Sequence, residues 1–455
     1  MTVDRIFGTD GIRDIANYGY LSAEFLVKLG KFIGLDIIAH LPKKRVIIGQ
    51  DSRASGSMIE SALSAGLLAS GADVADAGII STPGLAFLTR QDNFGLGIMI
   101  SASHNPCNYN GIKLFASDGA KVSHDLERKI EQHLKAISPP SPKNLPVGFV
   151  IPVNHQELIA QYIDYIIRIV LGRKPSNWLR GMKIVIDCAN GATSEIAPAL
   201  FAKLGATVLP INNKPDGKNI NHHCGSLHPE ALRRKVIATK ADIGFSLDGD
   251  GDRLIMVDDK GIIRDGDHVL FIAARHMHKR GRLKNYTVVG TIMTNSALEF
   301  ALAKDKIKLV RTSVGDKYVL AQMLKDNYAI GGEPSGHIIF SDYSKNGDGL
   351  LTALAVLKII KAENKSLSEL IGSFKLFPQL IVNVPIKSKP PLDQVAPIQQ
   401  KVKEIESKVG KEGRLNLRYS GTEYLARIMI EGQSLPEIKS LAESLAKVVK
   451  THLKN

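Results

Sequence analysis

Ile98-Met99-Ile100-Ser101-Ala102-Ser103-His104-Asn105-Pro106 is an apolar strand that runs straight into a serine, a histidine and a proline-stopped loop. Open α/β sheets collect their ligands at the carboxyl ends of their strands, and Ser103 stands at such an end. Its hydroxyl is a candidate nucleophile for carrying a phosphoryl group, although a serine in such a turn also serves as a cap. The same grammar of short aliphatic strands separated by amphipathic helices extends outward in both directions. Arg45 to Asp51, Gly97 to Ser101, Lys183 to Asp187, Ile243 to Leu247 and Val288 to Ile292 read as strands of an α/β fold. The segment after Ser123 reads as a capped helix, with Leu126, Ile130, Leu134 and Ile137 on one face.

Breaks in this alternation suggest domains. The stiff run Ser138-Pro139-Pro140-Ser141-Pro142 ends a first unit, and the turn Asp258-Asp259-Lys260-Gly261 follows a second. Lys387-Ser388-Lys389-Pro390-Pro391 is a third break, followed by a helix, the strands Arg414 to Tyr419 and Ala426 to Glu431, and a last helix. The expected division is 1–145, 146–257, 258–370 and 371–455, the last a smaller α+β unit. No repeat is visible at the level of residues.

Asp248-Gly249-Asp250-Gly251-Asp252-Arg253 follows the strand ending at Leu247. Three carboxylates at alternate positions repel one another unless a cation lies between them, and the glycines allow the tight backbone that turns them inward. Oxygen-only ligands select a hard ion, Mg²⁺ first. An EF-hand is excluded because Arg253 takes the place of its required glycine and Leu254 to Val257 is a strand, not a helix. Two further clusters lie downstream. Gly332-Glu333-Pro334-Ser335-Gly336-His337 offers a carboxylate, a hydroxyl and an imidazole suited to sugar hydroxyl or amine groups. Arg418-Tyr419-Ser420-Gly421-Thr422-Glu423, with Arg427, combines guanidinium, hydroxyls and a freed backbone, a set that holds phosphate dianions.

These four clusters, in this order, resemble the α-D-phosphohexomutase family over essentially the whole chain, and Phe7-Gly8-Thr9-Asp10-Gly11-Ile12-Arg13 is similar to its N-terminal signature. The resemblance implies three related mixed-sheet α/β domains and a smaller α+β C-terminal domain around a central cleft. It implies Ser103 as the phosphoserine, with Lys113 of Asn110-Gly111-Ile112-Lys113 as general base and His104 and Arg13 beside the phosphate. Ser103, Asp248, Asp250 and Asp252 would hold one Mg²⁺. Arg253, Lys317, Glu333, Ser335 and His337 would bind the sugar, and Arg418, Ser420, Gly421, Thr422 and Arg427 the phosphate that is not reacting. An ordinary lysine titrates near pH 10.4, so Lys113 is expected to have its pKa lowered by burial or cationic neighbours. The stretches Asp187 to Ala192, Val314 to Tyr318 and Ser420 to Glu423 are most similar to the bacterial branch that interconverts glucosamine 6-phosphate and glucosamine 1-phosphate, feeding UDP-N-acetylglucosamine and cell-wall precursors. A sugar 1,6-bisphosphate would be intermediate and activator. Mannose or glucose phosphates are the rival substrates.

Composition fits a large enzyme and argues against other classes. A chain of 455 residues with 44% apolar content can bury several cores. The net charge of +14 invites nucleic-acid binding, but basic and acidic residues alternate, as in Lys401 to Glu406, and aromatics are only 6%. Sugar phosphates, not nucleic acid, are the expected partners. Cys107, Cys188 and Cys224 lack metal-site spacing, so free thiols in a reducing cytoplasm are expected. With no apolar leader or run of spanning length, no membrane is expected, and a monomer or homodimer is anticipated.

Overall fold

Leu96–Ile100 is buried at every position, and its unbroken apolar run is what a strand covered on both faces requires. A computed structural model describes residues 6–8, 10–37, 41, 43–91, 94–135, 147–172, 177–410, 413–420 and 424–453. Thr9 and the Ser138 to Pro142 break lie outside these residues, as do Ile137, Gly421 and Thr422.

The first sheet holds Ile12–Ile15 (β1), Arg45–Gln50 (β2), Asp73–Ile79 (β3), Leu96–Ile100 (β4), Tyr109–Ala116 (β5) and Val150–Ile151 (β6), in the order β1-β5-β4-β2-β3-β6. The second holds Lys183–Asp187 (β7), Thr207–Ile211 (β8), Ile243–Leu247 (β9), Leu254–Val257 (β10) and Ile263–Arg264 (β11), in the order β11-β10-β9-β7-β8. The third holds Thr287–Thr291 (β12), Lys308–Thr312 (β13), Ile330–Gly332 (β14) and Ile338–Phe340 (β15), in the order β13-β12-β14-β15. In each sheet a run of at least three adjacent strands is parallel and the next is antiparallel. The runs β3-β2-β4-β5, β8-β7-β9-β10 and β13-β12-β14-β15 are therefore one topology built three times. The Ser103, Asp248 and Glu333 loops each link the third strand of that run to the fourth, so three unlike motifs occupy equivalent places.

Helices join these units into one body. His155–Leu171 is capped by Asn154, whose side chain accepts from Gln156 N, and ends at Gly172 in the left-handed region. Its buried face carries Tyr162 and Tyr165, and Phe87 of the helix Thr82–Gln91 stacks on Tyr165 at 4.3 Å. A single apolar core runs from Ile47 and Phe87 through Tyr162, Phe201 and Phe245 to Leu354 on the helix Gly349–Glu363. Each such side chain contributes about 1.5–3 kcal/mol on burial, so the first three units are fixed to one another by their shared core.

Gln379–Pro385 (β16), Arg414–Tyr419 (β17) and Leu425–Glu431 (β18) form a fourth, antiparallel sheet in the order β16-β18-β17, covered by Ala396–Val409 and Leu435–Leu453 around a core of its own. Three expected breaks move. The Asp258 to Gly261 turn joins β10 to β11 within one sheet, so the second unit continues through Arg264 instead of ending at 257. β6 pairs with β3, which carries the first sheet past residue 145. Lys387 to Pro391 falls inside the fourth unit, because β16 already pairs with β18. A polar turn within a hairpin looks, in sequence, like a polar turn between domains. Among the described residues, no helix is long and apolar enough to cross a membrane.

Candidate active site

Ser103 is held in the left-handed region, φ 51°, an uncommon conformation for a residue with a Cβ. Its N–H donates to Ser101 Oγ at 2.8 Å, and Ser101 in turn donates to Asp51 Oδ2 at 2.6 Å. Arg53, its guanidinium fully buried, donates to Asp51 at 2.9 Å and to the carbonyls of Ser103 and Asn105, each at 2.9 Å. This scaffold aims the Ser103 hydroxyl at the metal loop, where it donates to Asp248 Oδ2 at 2.6 Å. Asp51 and Arg53 escaped the sequence reading. Their signal was present, since Asp51-Ser52-Arg53 leaves β2 beside the end of β4.

Asp248, Asp250 and Asp252 are buried, with carboxylate oxygens within 4.8 Å of one another. Asp250 Oδ1 and Asp252 Oδ1 are buried without a hydrogen-bond partner among the described residues. Burial, and then the charges of Asp252 and Asp250, push the Asp248 carboxyl well above its ordinary range. Orphaned, mutually repelling, all-oxygen donors fit a hard divalent cation and give a structural reason for one.

Lys113, on β5, reaches into the same cluster. Its ammonium lies 2.9 Å from Asp10, 2.9 Å from Asp250 and 3.8 Å from Asp252. The expected lowering of its pKa is not what this geometry produces. Burial pulls downward, but Asp10, Asp250 and Asp252 outweigh it and the pKa is raised well above the ordinary lysine value. The lowered group is His104, held at about 4 by burial and by the charges of Arg253 and Arg13. Its Nδ1 lies 3.3 Å from Ser103 Oγ. Arg13 donates to Asn105 Oδ1 at 3.2 Å, and Arg253 Nε lies 3.8 Å from Asp252.

The third loop packs directly on the second. Leu254 N donates to the Gly336 carbonyl at 3.0 Å, and Gly336 has φ 92°, with a Cβ there falling 2.2 Å from Leu254 O. Only glycine fits. His337 does not stand open to a sugar, because its ring faces Asp252 at 3.4 Å and Asp316 at 3.7 Å. Burial alone would lower its pKa, but Asp252 and then Asp316 lift it to about 9. Glu333 accepts from Gly315 N at 3.0 Å, and Ser335 Oγ is buried without a partner among the described residues. Lys121 pairs with both Asp10 and Asp316, linking the first unit to the third. A cleft of about 600 Å³ opens here, lined by Lys113, Lys121, Lys317, Tyr318 and Asn346 among others.

Arg418, Ser420 and Arg427 form a separate group on the fourth sheet. Arg418 and Arg427 are direct cross-strand partners, and Arg427 lies 3.4 Å from Ser420 Oγ. Among the described residues, no hydrogen bond or ion pair joins Arg418 or Ser420 to the groups around Ser103. Burial, followed by the Arg427 charge, lowers the Arg418 pKa. Like charges placed opposite one another in a sheet are unfavourable unless an anion lies between them.

Family models for the phosphoglucomutase/phosphomannomutase proteins tile the chain: the alpha/beta/alpha domains I, II and III match residues 4–141, 160–261 and 265–377, and the C-terminal domain matches 381–448. The chain belongs to this family of phosphohexomutases and is an isomerase, an intramolecular phosphotransferase. It is similar over its whole length to phosphoglucosamine mutases: 46% identical to that of Thermoanaerobacter sp. (strain X514) and 43% to that of Nitratidesulfovibrio vulgaris (strain Miyazaki F), each over 99% of both chains. In fold it is similar to a phosphoglucomutase/phosphomannomutase family protein from Burkholderia thailandensis, with a TM-score of 0.79 at 24% identity over 99% of this chain and 98% of that one.

Proposed function

We propose that the chain interconverts glucosamine 6-phosphate and glucosamine 1-phosphate through a phosphoserine at Ser103 and a 1,6-bisphosphate intermediate. The observation that carries this reading is the Ser103 hydroxyl 2.6 Å from Asp248, where loops from three units meet. In the forward direction the sugar O1 attacks the phosphorus on Ser103. The bond from phosphorus to Oγ breaks, a bond to O1 forms, the O1 proton passes to a base, and Oγ takes up a proton as it leaves. The bisphosphate then turns over and returns its 6-phosphoryl group to Ser103.

Mg²⁺ held by Asp248, Asp250, Asp252 and a phosphoserine oxygen would draw charge off the transferring group. The remaining work falls to side chains. Arg13 and Arg253 border the phosphoryl group, and neutral His104 or Lys113 takes the proton. Lys113 can do so only after giving up the carboxylates that now hold its ammonium. Lys317, Glu333 and Ser335 face the sugar side, and His337 braces Asp252 and Asp316 behind them. Arg418, Ser420 and Arg427, with Gly421 and Thr422, hold the distal phosphate. The reading agrees with a cytoplasmic enzyme of small sugar phosphates.

Assay of the purified chain with glucosamine, glucose and mannose 6-phosphates, Mg²⁺ and a trace of bisphosphate tests the substrate. Glucosamine 6-phosphate is expected to lead in kcat/KM by about 1–3 kcal/mol in transition-state terms, the scale set by one small substituent. A higher value for mannose or glucose phosphate reassigns the substrate. Arg418→Ala tests the distal clamp. KM is expected to rise by the equivalent of about 2 kcal/mol, the worth of a charge-assisted pair, while the melting temperature stays near that of the wild type. Unchanged KM removes the clamp from this sheet.

A further inference from the structure

The carbonyls of Ser103 and Asn105 each accept two hydrogen bonds, one from either side of a domain boundary. Arg53 of the first unit supplies one to each, and Asn221 of the second unit supplies the other, Nδ2 lying 2.9 Å from Ser103 O and 3.1 Å from Asn105 O. Two carbonyls facing the same atom fix the amide orientation, since the Asn221 oxygen there would meet only acceptors. Asn221 is itself tied to the second unit, its N–H donating to Ala189 O at 2.9 Å. Its φ of 57° is one that asparagine tolerates better than most residues. Gly249 of the metal loop slides between the partners, for a Cβ there would come 2.7 Å from Ser103 O and 2.8 Å from Asn221 Nδ2.

Asn221 and Asp248 thus belong to one unit and grip one residue of another, the first by its carbonyl and the second by its hydroxyl. We infer that Asn221 is a positioning residue for phosphoryl transfer, setting the register of Ser103 against the metal loop. Arg53 cannot do this alone, because its bonds to Ser103 and Asn105 lie wholly within the first unit and give the loop no reference to the metal loop. Without Asn221 the serine loop keeps its shape but loses its backbone tie to the unit that carries Asp248, Asp250 and Asp252. A transferring group displaced by a fraction of an ångström from its electrostatic partners reacts more slowly although it binds as before.

This inference rests on Ser103 as the phosphoryl carrier, so the wild-type chain is measured first. Absence of phosphate on Ser103 in active enzyme, read by peptide mass spectrometry, defeats that reading whatever Asn221 does. Asn221→Asp keeps the shape and the backbone preference but replaces both donors by an acceptor, and Asn221→Gly removes the side chain while suiting the positive φ. In both, kcat is expected to fall by about tenfold or more, with KM for glucosamine 6-phosphate and the half-saturating Mg²⁺ each within about twofold of wild type. Should Asn221→Gly lose its circular dichroism, Asn221→Asp decides. A folded Asn221→Asp with kcat within about twofold of wild type, or with the loss confined to KM, overturns the positioning role.

Discussion

Ser103→Ala is expected to cut turnover by about 10⁴-fold or more and to remove the phosphate found on the resting enzyme, with the fold retained and Mg²⁺ left to the three aspartates alone. Loss of this size follows because the reaction as proposed passes through an O–P bond on that hydroxyl and no neighbour can replace it. His104 stands 3.3 Å away, but it is the Ser103 Oγ that donates to Asp248, at 2.6 Å. Ser101 provides the control. Its hydroxyl is engaged by Ser103 N and Asp51, beneath the site, so Ser101→Ala should loosen the loop and lower kcat by a much smaller factor without removing the phosphate. Peptide mass spectrometry locates the group and steady-state kinetics sizes the losses. Near-normal turnover in Ser103→Ala, with abolition in Ser101→Ala, would move the nucleophile by two residues.

The chemistry-bearing loops were legible because each needs particular side chains at fixed spacing. Alternate aspartates with intervening glycines make little sense without a cation, whatever the fold around them. Many of the strands were legible for the same local reason, and Lys183–Asp187, Ile243–Leu247, Leu254–Val257 and Arg414–Tyr419 stand where their apolar patterns put them. The threefold recurrence was not. It resides in which strands pair across dozens of residues, and β3-β2-β4-β5 shares strand order, not side chains, with β8-β7-β9-β10. The state of Lys113 was hidden for a related reason. Its charge environment comes from Asp10 on one segment and from Asp250 and Asp252 on another, which no local window contains. Arg53 and Asn221 hold carbonyls, and a backbone oxygen leaves no trace in the sequence of the residue that owns it.

Asp250→Asn is expected to lower turnover by about a thousandfold, roughly 4 kcal/mol of transition-state stabilisation, and to blunt the effect of Mg²⁺ on the folded chain. The two oxygens of Asp250 do different work. Oδ2 accepts from Lys113 at 2.9 Å and from Thr82 Oγ1 at 2.5 Å, contacts made wholly within the protein. Oδ1 is buried with no partner among the described residues and is the atom left for a cation. An asparagine can still accept from Thr82, so the packing at the start of the helix Thr82–Gln91 should persist. Removing one of three crowded charges also relieves Asp248, whose carboxyl burial and its two neighbours now push upward. Lys113 loses one of its three carboxylates but keeps Asp10 and Asp252. The variant should therefore fold, with a melting temperature near that of the wild-type chain when both are free of divalent ions. The difference appears on adding Mg²⁺. A ligand at a hundred times its dissociation constant stabilises the folded state by about 2.7 kcal/mol, so the wild type should show a clear upward shift and Asp250→Asn a much smaller one at the same concentration. Differential scanning calorimetry across a Mg²⁺ series, with EDTA as the baseline, separates loss of metal from loss of fold. Equal shifts in the two proteins would mean that the cation is held elsewhere and that the three aspartates are a structural turn neutralised by Lys113, Arg253 and His337 alone.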